Sequence, residues 1–329
     1  MNISHEVPLA LLEESRFFND FDYALVHLLD TNEQYRKYYM DAAKNGRIVY
    51  LDNSLYELGN AFEPKKYLEW IIELRPTYYI IPDTFWDTEA TMKQAMNWIL
   101  NFAPKVPDGV KSIGVCQGSC YEDIKRCYKF MSTLVDMVAF TFKFPDDFVE
   151  MSGEAFQEHY RSIVDIVSPG EHIKHPDNLD TIKDNLDTIK QAMIRYSVLS
   201  MLVEEDIIDN TKEHHLLGLQ NTLLLHSLSK MLWITSIDTS NPIISGLMYT
   251  PYDNMCESGN VPMVGNPWKV KPHKVLADFF EKPVDNIQHD TIRYNVMAFR
   301  ELAGTKSVDK PRPYVPSEYV EKENTDTNE

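Results

Sequence analysis

The sequence predicts an α/β protein built as a (β/α)8 TIM-like barrel. Three observations carry this. Short runs rich in β-branched and aromatic residues are apolar on both faces, as parallel strands covered by helices must be. The runs alternate with amphipathic helical patterns at roughly 25 to 35 residues per unit, the spacing of βα repeats. Seven such runs are present, closer to a barrel than to an open sheet.

The predicted strands are DYALVHLL (22–29), RIVYLDNS (47–54), TYYIIPD (77–83), VKSIGVCQG (110–118), DMVAFTFKF (136–144), HHLLGLQN (214–221) and MLWITSIDTS (231–240). An eighth run is harder to see, and VPMVG (261–265) is the candidate. Between them lie NEQYRKYYMDAAKNG, stopped by Gly46, and PKKYLEWIIELRP, begun by Pro64 and ended before Pro76. DTEATMKQAMNWILNFAP and SCYEDIKRCYKFMSTLV complete the helical set. Residues 145–213 hold no strand pattern but contain DNLDTIK twice in tandem (177–183 and 184–190), so they read as a helical insertion between the fifth and sixth of these strands. The tail from 306 to 329 is polar, acidic and Pro-containing and is expected to be disordered. Residues 1–305 then form one barrel domain.

Composition narrows the function. With 43% hydrophobic and 25% charged residues among 329, and no long uncharged apolar run, the chain is expected to be neither membrane-spanning nor fibrous. The start MNISHEVPLALLEES lacks the basic leader of a signal peptide, which predicts a cytoplasmic protein, in the host cytoplasm if phage-encoded. Four cysteines, Cys116, Cys120, Cys127 and Cys256, are too few for a disulfide framework. A net charge of −18 argues against broad contact with nucleic-acid phosphates, although a local basic groove is compatible with it. His214 and His215 precede a strand and are expected to be capping or surface residues. Helix-spaced Trp70 and Trp98 read as core.

In such barrels the reacting groups sit at the C-terminal ends of the strands. Carboxylates end three of the runs: Asp52 closes IVYLD, Asp83 closes YYIIPD and Asp238 closes WITSID, while Gln117 closes SIGVCQ and His27 lies near the end of the first. An Asp that merely caps a helix stands a few residues into the loop, so three acids and an amide at one rim point to chemistry. Convergent carboxylates suit reactions at a glycosidic carbon, one attacking and another moving a proton. They also suit a metal site, with His27, Asp52, Asp83 and Asp238 as ligands of a hydrolase cation, although no paired-histidine spacing accompanies them. A degenerate barrel serving as a binding protein is the non-enzymatic alternative.

In order along the chain, these pieces resemble the tRNA-guanine transglycosylase superfamily, most closely its phage and bacterial relatives that place 7-deazaguanines into DNA. VYLDNSLYELG (49–59) is similar to the family's Asp-Ser-Gly-Gly-Phe-Gln strand end, YIIPDTFWD (79–87) to its next Asp-bearing element and GVCQG (114–118) to its Val-Gln-Gly element. HLLGLQN (215–221) is similar to Leu-Met-Gly-Val-Gly, and ITSIDTSNPIISG (234–246) to the segment with the nucleophilic Asp. The resemblance spans about residues 22–250. It implies a base exchange by double displacement, with Asp238 as nucleophile at C1′ and Asp52 assisting proton transfer or seating the base. It further implies that Asp83 and Gln117 bind the guanine or deazaguanine edge; Gly118 beside Gln117, Asn53 beside Asp52 and Trp86, in the loop directly after Asp83, complete the expected substrate-binding set. The partners implied are DNA or tRNA and a 7-deazaguanine base, with no cofactor, and a homodimer or delivering partner protein stays open. Three departures bear on the substrate. The family's zinc site near the C-terminus needs three cysteines and a histidine, whereas this chain has Cys256 and, seventeen residues later, His273, so no metal is expected. Asn53 and Ser54 stand where the family has Gly-Gly, and FTFKF (140–144) where it has a Gly-rich recognition loop. With the acidic charge, these departures favour DNA over tRNA.

Overall fold

A computed structural model describes residues 1–167, 179–219, 222, 225–252 and 272–305. Eight parallel strands form one sheet: β1 Asn2–His5, β2 Asp22–Leu25, β3 Val49–Asp52, β4 Tyr78–Ile80, β5 Lys111–Cys116, β6 Met137–Phe140, β7 Glu213–Leu216 and β8 Ser236–Thr239. Their order is β1-β8-β7-β6-β5-β4-β3-β2, a nearly closed barrel of the (β/α)8 type. Six strands fall inside the predicted runs, and β7 begins one residue ahead of its run, at Glu213; all seven are shorter than predicted. The remaining strand is not VPMVG, which lies outside the described residues, but the N-terminal NISH. β1 pairs with β8 in the register Ser4↔Asp238. Its addition at the front moves the helical insertion to between β6 and β7, where Phe148–Met151, Glu154–Val167 and Leu179–Glu204 are helices.

Side chains close the barrel where β1 and β2 do not ladder together. The Asp20 N–H donates to Ile3 O at 2.9 Å, while Asp20 Oδ2 accepts the Ile3 N–H at 2.8 Å. Asn19 does the same for His5, accepting its N–H at 2.7 Å and donating to its carbonyl at 3.0 Å. Arg300, from the helix Asn286–Leu302, clamps Asp20 from outside at 3.0 and 3.1 Å. These bonds satisfy backbone groups that an open edge would leave exposed.

Strand alternation divides the buried residues into two sets. One points into the barrel and is unusually aromatic: Phe21, Tyr23, Tyr50 and Tyr78 with Leu25, Ile80, Ile113, Val115, Met137 and Ala139. The other packs between strands and helices, and Trp70 and Trp98 lie in it. Helix boundaries follow local chemistry. Asn32 caps Glu33–Lys44 by accepting the Tyr35 N–H, Glu63 caps Pro64–Leu74 through the Lys65 and Lys66 N–H groups, and Asp87 caps Thr88–Asn101 through the Ala90 N–H. Among the described residues no helix is long and apolar enough to cross a membrane. Cys116 and Cys127 are buried free thiols. Cys256, the side chain of His273, residues 177–178 of the tandem repeat and the 306–329 tail lie outside what is described, and with them the expectations for zinc and for a disordered end.

Candidate active site at the barrel mouth

The C-terminal ends of the strands surround a cavity of about 1100 Å³. Its lining includes Glu6, Tyr23, His27, Asp52, Asn53, Glu57, Asp83, Trp86, Gln117, Gly218 and Asp238. Lys143 is the single lysine or arginine among the described lining residues. The three strand-end acids and Gln117 are therefore brought to one place, as the sequence predicts.

Asp238 points into the barrel from β8 and is 4% exposed. Its Oδ1 accepts from His215 Nε2 at 2.9 Å and from the Gly218 N–H at 3.0 Å. The other ring nitrogen of His215 meets Ser236 Oγ at 2.9 Å. This corrects the surface reading of the histidine pair: both are fully buried. His214 faces outward, with Nε2 2.9 Å from Tyr128 OH, and His215 faces inward. Pairing of β7 and β8 places His215 beside Ser236, hence below Asp238, and Tyr23 and Tyr50 pack on its ring at 6.0 and 5.6 Å. Period-two parity is the sequence signal for this residue: His215 shares a face with Leu217, as Ser236 does with Asp238.

Asp52 ends β3 with both oxygens engaged. Tyr23 OH donates to Oδ2 at 2.8 Å, and the Ser54 N–H donates to Oδ1. Ser54 is left-handed at φ 58°, a strained state for a residue with a Cβ, and its hydroxyl meets His27 Nδ1 at 2.8 Å. The same turn leads into the helix Leu55–Leu58, which carries Glu57 to the cavity.

Asp83 lies three residues beyond β4, with one side-chain amide on each oxygen. Asn53 Nδ2 donates to Oδ1 and Gln117 Nε2 to Oδ2, both at 2.8 Å. Asn53 also donates to Ile81 O and accepts the Leu55 N–H, and Gln117 Oε1 accepts the Trp86 N–H at 3.3 Å. Asp87, four residues on, is the helix cap, which separates the two acids of PDTFWD by role. Trp86 is left-handed at φ 61° and 37% exposed, its indole N–H on Lys143 O and the Lys143 ammonium 5.5 Å from its ring. Gly118 does not line the cavity. A Cβ there would come within 2.7 Å of Asp123 Cβ and 2.8 Å of the Ile124 nitrogen, so glycine lets the loop press against the start of the helix Tyr121–Met131.

The electrostatics are those of a crowded acidic pocket. Burial, then repulsion from Asp238 and Asp83 against the opposing bonds from Tyr23 and Ser54, raises Asp52 to about 7. Burial and the Asp52 charge raise Glu57 to about 8. Burial raises Asp83 to about 6 against the pull of its two amide donors. Glu6, one residue past β1, is driven well above its ordinary value by burial and by Glu57, Asp238 and Asp52. Protons are thus held in the mouth at neutral pH. Glu6, Glu57, Tyr23 and His215 escaped the sequence reading because none closes an apolar run.

Among the described residues no three His, Cys, Asp or Glu side chains are grouped to hold a metal ion. His27 turns its Nδ1 to Ser54, and Asp83 turns both oxygens to amides. No protein-family model and no curated protein matches the chain.

Proposed function

We propose that the barrel mouth performs glycosyl transfer at an N-glycosidic bond, exchanging guanine for a 7-deazaguanine in a polynucleotide, with DNA favoured over tRNA. The observation that supports this best is the division of labour among the carboxyl groups. Asp238 is oriented by an imidazole and a backbone N–H, while Asp52 and Glu57 are pushed to values near neutrality. Pairs of carboxyls whose environments differ in this way are how one site supplies both a nucleophile and an acid.

In this reading an Asp238 oxygen attacks C1′ as the C1′–N bond breaks. The bonding electrons leave with the base, which takes a proton from the protonated Asp52 carboxyl. The incoming base returns its N–H proton to Asp52 and displaces Asp238, so the proton count closes over the cycle. Each oxygen of Asp83 keeps one lone pair beyond its amide bond and can accept from the N–H edge of the base, and Gln117 and Asn53 fix its orientation. Trp86 stands at the rim beside them. Protonation of the mouth acids lowers the repulsion that a phosphodiester would meet on entering. The DNA preference rests on the motif resemblance and its departures.

The test is incubation of the protein with DNA and with tRNA, with labelled guanine or 7-deazaguanine, followed by denaturing electrophoresis and peptide mapping. Wild type should incorporate label and form a denaturation-resistant adduct at Asp238. Asp238→Asn should lose both by at least about a thousandfold while keeping its fold. Undiminished exchange by the variant, or an adduct at Asp52 or Asp83, would sink the assignment.

A further inference from the structure

Arg195 is 3% exposed and comes from the insertion, on the helix Leu179–Glu204. Its guanidinium meets backbone carbonyls: Nη2 donates to Leu217 O at 2.9 Å and Phe140 O at 3.1 Å, and Nη1 donates to Gly218 O. It thereby ties together the C-terminal ends of β6 and β7. The Leu217–Gly218 peptide is held at both of its ends. Its C=O receives the Arg195 guanidinium, and its N–H is the donor that reaches Asp238 Oδ1.

We propose that this peptide is a relay through which Arg195, supplied by the insertion, positions the amide that orients Asp238. A cation on the carbonyl and an anion on the N–H polarise the same amide in the same sense, which strengthens both bonds where water is excluded. The turn needs such a clamp. Gly218 has φ +53°, and a Cβ there would stand 3.0 Å from the Phe142 ring, so the turn has no side chain of its own to fix it. Among the described residues the titratable groups whose charge acts on or contacts Asp238 are Glu6, Tyr23, Asp52, Glu57 and His215, and Arg195 is the guanidinium set against them. Burial lowers Arg195 to about 9 against the opposing pull of Asp238, so it stays charged at neutral pH. Arg195 is a positioning residue. It acts on the nucleophile of the glycosyl-transfer reading, on which the catalytic consequence rests, while the relay itself is a property of the folded chain.

The experiment labels leucine carbonyls with 13C and glycine amides with 15N in the full-length protein. The chain contains two Leu-Gly pairs, Leu58–Gly59 and Leu217–Gly218, so two carbonyl-filtered amide signals result, and the first is an internal control. The Gly218 proton should resonate far downfield in wild type and move upfield in Asp238→Asn. In Arg195→Met it should also move upfield, its Leu217 carbon should move, and its hydrogen exchange should quicken by about tenfold or more, with Gly59 unchanged. Arg195→Lys should show the same displacement, because a single ammonium cannot fork across three carbonyls. It is also the deciding variant if Arg195→Met does not fold. A Gly218 signal that matches wild type in Arg195→Met, or in the Lys variant when Met does not fold, overturns the relay. Displaced Gly218 signals in a protein whose wild type forms no nucleic-acid adduct would leave the relay standing and refute the transglycosylase reading. Where wild type does form the adduct, its formation should slow in both Arg195 variants while DNA binding is kept.

Discussion

The seam between β1 and β2 and the mouth of the barrel both gather acidic side chains, and they treat them in opposite ways. At the seam Asp20 receives a two-pronged Arg300 and the Ile3 N–H, and nearby Asp22 receives a two-pronged Arg47 at 2.8 and 3.1 Å. At the mouth Glu6, Asp52, Glu57, Asp83 and Asp238 face one cavity, and their donors are hydroxyls, amides and an imidazole. Pairing stabilises the seam, and crowding destabilises the mouth. Like charges kept together against their own repulsion mark a place where the fold gives up stability for chemistry.

The largest effect expected from this contrast is on stability. Arg300→Met removes the clamp on Asp20 and leaves its charge partly buried at the closure of the barrel. It should lower unfolding free energy by about 2 to 4 kcal/mol in denaturant titrations at pH 7. Asp52→Asn should be neutral or stabilising under the same conditions. The amide oxygen can still accept the Ser54 N–H, and the Tyr23 hydroxyl can turn to accept from the new NH2 group. Equal losses in the two variants would show that the mouth is a structural network like the seam.

The pH dependence sharpens the comparison. Asp52, Asp83 and Glu57 have folded-state values raised to about 7, 6 and 8, so above pH 4 the native state holds protons that the unfolded chain releases. Their contribution is full below the ordinary carboxylate range and is lost as pH rises through about 6 to 8. His5 and His214 run the other way. His5 packs between Phe18 and Phe299, and burial lowers it to about 3; burial lowers His214 to about 4. Their contribution is full above pH 6.5 and is lost as pH falls toward 4 and below. Between about pH 4 and 6 the three acids together lose more than the two histidines gain, so stability should peak at about pH 4 and decline toward alkaline pH. Asp52→Asn should flatten that alkaline decline by about 2 to 3 kcal/mol between pH 5 and 8. A decline unchanged in that variant would place the responsible protons elsewhere.

The same contrast explains what could be read from sequence. Seven strands were legible because burial on both faces leaves continuous apolar runs such as YYII and MVAF. NISH was not, since Ile3 is its one large apolar residue and Ser4 and His5 are buried by pairing with β8 and by packing on Phe18 and Phe299. At the mouth, Asp52, Asp83, Gln117 and Asp238 were legible because each terminates a run. Glu6 follows a strand too short to notice. Tyr23 and His215 lie inside runs, where only parity shows that they point into the barrel, Tyr23 to line the cavity and His215 to hold Asp238 from below. Arg195 lies mid-helix in the insertion, and its contacts to Phe140, Leu217 and Gly218 span 22 to 55 residues, beyond any local pattern. Gly118, which the motif resemblance places with the substrate, is accounted for by the approach of Asp123 and Ile124.

The smallest effect is expected at the opposite end of the barrel, where an acid is neither crowded nor deeply paired. Glu213 begins β7 and accepts from Tyr78 OH, which also receives the Lys111 ammonium at 3.1 Å; Lys111 and Glu213 are themselves 4.0 Å apart. The side chains of Lys111 and Glu213 are 51% and 49% exposed, so solvent screens the pair and its rupture has little consequence. Tyr78 is raised by burial and by the Glu213 carboxylate, so it remains a neutral donor over the working pH range and can bond the amide of Glu213→Gln as well. That variant should change stability by less than about 0.5 kcal/mol and leave adduct formation at the mouth at its wild-type rate. Glu57→Gln makes the same chemical change at the crowded end. It removes a proton-holding group and its repulsion of Glu6, so it should flatten the alkaline decline and slow base exchange. If Glu213→Gln disturbed exchange as strongly as Glu57→Gln, the asymmetry between the ends of this barrel would not be the source of its chemistry.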